Sequence, residues 1–65
     1  MYGTVKWFNA DKGFGFLLGD DGKELFIHYS NIIADGFKSL EEGDKVCYNE
    51  SMGDKGPIAI NVEKM

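Results

Sequence analysis

Between Lys6 and Ser30 the chain reads KWFNADKGFGFLLGDDGKELFIHYS, in which Phe14 and Phe16, and Leu25 and Ile27, are spaced two apart. That period belongs to strands, in which successive side chains point to opposite faces and residues two apart share one. Phe14 and Phe16 therefore share a face across Gly15. In KELFIHY, Leu25 and Ile27 point one way while Glu24, Phe26 and His28 point the other. Leu17, Leu25 and Ile27 form the natural core set, which leaves Phe14, Phe16, Phe26 and His28 together on the opposite side. The Gly19-Asp20-Asp21-Gly22 run between the two segments tolerates the positive φ of a tight hairpin connection.

Six of the chain's one tryptophan, three tyrosines and five phenylalanines fall in this stretch, among glycines and lysines rather than aliphatics. Rows of rings on an open sheet face, with lysines nearby, hold single-stranded nucleic acid: bases stack on the rings and cations follow the phosphates. The competing reading, a core buried on both faces of the sheet, needs a second layer. A chain of 65 residues leaves little to build one.

The first strand should run from Tyr2 to Phe8, with Val5 inward. Simple alternation sends Trp7 inward with Val5, so a bulge is expected to reset the register and free the rings for the ligand face. Strands two and three are expected at Phe14–Leu18 and Lys23–Tyr29. Ser30 is the expected cap of a single helical turn that Asp35-Gly36 would end. Strand four should span Lys45 to about Ser51, with Val46 and Tyr48 inward. A loop over Met52–Gly56 then leads to strand five, Ile58–Glu63, with Ile60 and Val62 inward and Pro57 at its start. Glu50 falls on the inward parity, which predicts a frayed or bulged strand there. Five short strands without a substantial helix are best protected by closing on themselves. The expected fold is therefore all-β, one domain over residues 1–65, a five-stranded antiparallel barrel of the oligonucleotide-binding type.

Charge restricts the mode of binding. Seven lysines against eleven carboxylates give a net charge of −4, the wrong sign for attachment to nucleic acid by bulk electrostatics. Lys6, Lys12 and Lys55 flank the aromatic face or its loops, whereas Asp35, Glu41, Glu42 and Asp44 gather elsewhere. Stacking should thus outweigh counterion release. His28 and Cys47 are the only soft metal ligands, so neither a structural zinc nor another cofactor is expected. With one cysteine no internal disulfide can form, and neither a spanning segment nor a signal peptide is evident; a cytoplasmic monomer with no membrane or small-molecule partner is expected. Catalysis is not expected: strand parity puts no serine beside the His28 imidazole, and there is no phosphate-cradling loop.

Lys12-Gly13-Phe14-Gly15-Phe16-Leu17 resembles the first ribonucleoprotein motif, and Leu25-Phe26-Ile27-His28-Tyr29 the second in the form carried by bacterial cold shock proteins. The order of the two motifs and the lack of long helices exclude an RNA recognition motif. Gly3-Thr4-Val5-Lys6-Trp7-Phe8-Asn9, Gly36-Phe37-Lys38-Ser39-Leu40 and Gly56-Pro57 with Ala59 and Asn61-Val62 extend the likeness over essentially the whole chain. The resemblance implies a cold shock domain that binds single-stranded RNA and DNA and acts as an RNA chaperone in the cold shock response or growth transitions. Carried over by position, it implies a binding face of Lys6, Trp7, Phe8, Lys12, Phe14, Phe16, Phe26, His28, Tyr29 and Phe37, with Lys55 a further basic loop position. Tyr29 stands where the family usually has phenylalanine. Ile58 replaces a common polar residue, and Ile60 a common alanine where it would enlarge the core.

Overall fold

The computed structural model describes residues 1–33, 39–54 and 56–65. Among them the chain forms β1 (Tyr2–Asn9), β2 (Phe14–Gly19), β3 (Glu24–His28), β4 (Lys45–Gly53) and β5 (Gly56–Lys64), with a 3-10 turn over Tyr29–Asn31. The strands close in the order β1-β2-β3-β5-β4, and β4 returns to pair with β1. Four of the pairings are antiparallel; β3 and β5 run parallel, with Phe26 opposite Ile58 and Ile27 opposite Ala59.

Turn chemistry fixes the β2–β3 hairpin. Gly22 sits at φ 90°, its N–H donates to the Gly19 carbonyl at 2.9 Å, and the Gly19 N–H donates to Lys23 at 2.8 Å. Between β1 and β2 the backbones approach so closely at Gly15 that a Cβ there would press into the Trp7 carbonyl and lie 2.7 Å from Phe8 Cα. Only glycine fits, which explains the small residue between the two phenylalanines.

Inside the barrel lie Val5, Leu17, Leu25, Ile27, Val46, Tyr48, Ala59 and Val62, with Ile32 and Leu40 packed in from the connecting segments. Ile32 bridges to Val62, and the Ile33 N–H donates to the Val62 carbonyl at 2.7 Å, so the chain leaving the 3-10 turn is tied against β5. Among the described residues no charged side chain is buried. Tyr48 brings a hydroxyl inside with no partner among them, and its burial, then the nearby Asp21, Glu50 and Asp20 carboxylates, push the phenol above its ordinary pKa.

Two register shifts decide which residues reach this interior. In β1, Val5 faces Leu17 and Trp7 faces Phe16, so Lys6 is the extra residue of the expected bulge. In β5, Cys47 faces Glu63 while Asn49 faces Ile60, so Asn61 and Val62 together oppose Tyr48. Asn61 takes φ 52°, a left-handed conformation that asparagine tolerates better than most residues. This bulge corrects the sequence expectation for Ile60: Ala59 and Val62 fill the core, and Ile60 is half-buried opposite the exposed Asn49.

Other expectations are corrected too. The β4–β5 connection is a tight hairpin in which Gly53 pairs with Gly56, not a loop from Met52. The strand neither frays nor bulges at Glu50, whose carboxylate reaches Lys23 Nζ at 3.2 Å. His28, not Ser30, caps the 3-10 turn, its side chain accepting the Ser30 N–H. Asp35-Gly36 lies outside the described residues.

Leu17 has no exposed surface, whereas its neighbour Leu18 is 42% exposed. Leu17→Ala should cost ~2–5 kcal/mol in a denaturant melt, and Leu18→Ala no more than about 0.5 kcal/mol. Equal losses from both would mean that the strand's two faces are not distinguished as described.

Candidate nucleic-acid interface

The outer faces of β1, β2 and β3 bring four rings into one cluster. Register places Trp7 beside Phe16 and Phe16 beside Phe26. Ring centroids of Trp7 and Phe14 lie 5.8 Å apart, Trp7 and Phe16 5.6 Å, Phe14 and Phe26 5.9 Å, and Phe16 and Phe26 5.7 Å. Each ring thus supports two others, mostly edge-on or tilted, the arrangements aromatic quadrupoles favour. The three phenylalanines are half-buried, and Trp7 is 41% exposed. A quartet held in this way offers flat surfaces whose orientation is fixed before any ligand arrives.

A second pair of rings continues the face. His28 lies opposite Phe14 in the sheet, and its ring centroid is 4.7 Å from that of Tyr29. Tyr29 does not extend β3; it opens the 3-10 turn, and its ring packs over Gly13, where a Cβ would lie 2.6 Å from Tyr29 Cδ1. Gly13 has φ 78°, and its carbonyl accepts the Tyr29 N–H at 2.9 Å.

The Lys6 bulge turns Trp7 outward but leaves Phe8 half-buried against the core, so the two rings of β1 do not share one face. Lys6 Nζ lies 2.7 Å from Glu24 Oε1, an exposed ion pair at the edge of the ring cluster. Lys12 is exposed in the β1–β2 loop, its N–H donating to Asn9 Oδ1 at 3.0 Å. Phe37 and Lys55 lie outside the described residues.

Beside the quartet runs a groove of about 540 Å³, floored by Phe14, Phe16 and Phe26 and walled by Gly56, Pro57 and Ile58, with Glu24 and Asp54 as its acidic members. From sequence, Ile58 stands out only as an apolar residue where the family commonly has a polar one. Its place in the wall follows from the parallel pairing with Phe26, a long-range contact for which local alternation carries no signal.

The expectation that no serine adjoins the imidazole is corrected. Ser30 Oγ lies 2.8 Å from His28 Nδ1, because the chain leaves the strand at Tyr29 and curls back. The same nitrogen also accepts the Ser30 N–H at 3.3 Å, so the contact is a local cap rather than a nucleophile paired with a base.

A family model described as the 'Cold-shock' DNA-binding domain matches residues 1–65. The chain belongs to this cold-shock domain family. Cold shock protein 2 of Lactiplantibacillus plantarum is 64% identical over 61 residues, covering 94% of this chain and 92% of that protein. The major cold shock protein of Streptococcus pyogenes serotype M18 is 52% identical over 63 residues, covering 97% and 94%. The solved structure of Drosophila Unr CSD456 superposes with a TM-score of 0.77 at 23% identity, over 98% of this chain and 26% of that one, a likeness in fold. These findings agree with the all-β barrel of oligonucleotide-binding type expected from sequence. Among the described residues no helix is long and apolar enough to cross a membrane.

On this cold-shock domain Phe16 and Leu17 are neighbours with opposite fates. Phe16→Ala removes one ring of the quartet without opening the sealed core. It should cost about 1 kcal/mol of stability yet weaken binding of a short oligonucleotide by roughly tenfold. Denaturant melts and titrations measure the two effects separately; a Phe16→Ala protein that binds normally would remove the quartet from the interface.

Proposed function

We propose that this protein binds single-stranded RNA and DNA by stacking bases on Trp7, Phe14, Phe16, Phe26, His28 and Tyr29, and that it serves as an RNA chaperone without catalysing a reaction. The observation that carries the reading is the ring quartet on the outer face of a barrel whose single buried layer is filled by other residues. A core does not need those rings, and a duplex, with its bases already paired and stacked, gives them little to hold. Phe8, Lys12, Phe37 and Lys55 are assigned to the interface on the family resemblance alone. Strands kept single in this way cannot pair with themselves, which is the physical content of chaperoning a transcript.

Lys6 carries a condition. Its ammonium is paired with Glu24, so a phosphate that recruits it must displace that carboxylate and gains correspondingly little. Glu24 and Asp54 along the groove repel phosphate, which favours a strand lying with its bases toward the protein and its backbone outward.

Addition of a short pyrimidine strand should quench Trp7 emission, and a duplex of equal length should do so far less. Binding detected by another method with an unchanged Trp7 spectrum would take Trp7 out of the site.

Salt dependence should be shallow. Three lysines at about −0.7 each on a single strand give a log–log slope of about −2. A slope steeper than about −4 would mean that electrostatics, not stacking, holds the strand.

A further inference from the structure

We propose that Ser30 fixes His28 as the Nε2–H tautomer, so that the ring face presents a pre-set N–H donor to an acceptor oxygen of the bound strand. The inference rests on the reading of this face as a nucleic-acid surface and assigns His28 a second role there besides stacking. Its basis is the cap at the start of the 3-10 turn. A backbone N–H can only donate, so the Ser30 N–H at 3.3 Å requires a lone pair on His28 Nδ1. Ser30 Oγ lies 2.8 Å from the same nitrogen, and beside an unprotonated Nδ1 its hydroxyl is the donor. A neutral imidazole with its acceptor committed at Nδ1 carries its proton on Nε2. Among the described residues nothing hydrogen-bonds Nε2.

The geometry also fixes where the donor sits. His28 is opposite Phe14 across β2 and β3, and Tyr29 packs on the imidazole at 4.7 Å, so the ring has little freedom to turn over. Rings alone accept every base alike; a fixed donor beside them recognises one kind of atom, a carbonyl oxygen of a base or a phosphate oxygen. Ser30 touches no strand in this scheme and is a positioning residue.

Nitrogen-15 spectra of the His28 ring in the free protein test the tautomer directly. They should show an unprotonated Nδ1 and a protonated Nε2; Ser30→Ala, which keeps the backbone N–H and loses only the hydroxyl contact, should shift the ring part of the way toward the other tautomer, and Ser30→Thr should restore the original pattern. A proton on Nδ1 in the unaltered protein overturns the proposal.

His28→Phe, which keeps a ring and loses the donor, should weaken oligonucleotide binding by roughly two- to tenfold, with folding checked by melt. Ser30→Ala should weaken it less, and Ser30→Thr not at all. A His28→Phe loss that varies among oligothymidine, oligocytidine and oligoadenine assigns the acceptor to the base; an equal loss on all three assigns it to the phosphate. Unchanged affinity in His28→Phe, with Phe16→Ala impaired, overturns this proposal alone. If the unaltered protein binds no single strand, the function proposed above fails and this inference with it.

Discussion

The bulge at Lys6 is the point on which the sheet turns. β1 pairs with β4 near its start and with β2 along its length, and it must deliver Val5 to the interior and Trp7, two residues on, to the outside. An unbroken strand cannot do both, because residues two apart share a face. One extra residue, exposed and charged, reverses the parity. From that point the rings of β1 fall into line with those of β2 and β3, and the aromatic quartet can exist.

β5 meets the same difficulty. Ala59 and Val62 both belong inside although they are three positions apart, and the left-handed turn at Asn61 absorbs the difference. In each strand one locally irregular residue reconciles a regular ladder with a closed interior. The irregularities lie where polar side chains can remain in water, at Lys6 and Asn61, so neither brings an unpaired polar group into the core.

Much of this was legible in the sequence because alternation is a strictly local signal. Leu17, Leu25 and Ile27 against Phe14, Phe16 and Phe26 follow from parity, and the conflict between Val5 and Trp7 by itself implies a bulge in β1. Asn61 raised no such conflict: Ile60 and Val62 make a plausible inward pair, and only the pairing with β4 shows that the count slips. The parallel β3–β5 contact was invisible for a related reason, since nothing near Phe26 names Ile58 as its neighbour, and the groove wall went with it. His28 displaced Ser30 as the cap because an imidazole nitrogen can do what a serine oxygen usually does. Phe37 and Lys55 remain assignments by resemblance.

The parallel pair also sets an order of events. Phe26 and Ile27 meet Ile58 and Ala59 more than thirty positions later, and Ile32 waits for Val62. Contacts so far apart in the chain form only after the intervening segment exists, and they slow folding relative to local pairing. On the ribosome, therefore, the hairpin of β2 and β3 can assemble early, but Leu17, Leu25 and Ile27 have no complete enclosure until β5 has left the exit tunnel. A nascent chain paused before Ala59 would expose a greasy half-barrel, a natural client for a trigger chaperone or a protease. For this protein, folding must wait until β5 has been translated.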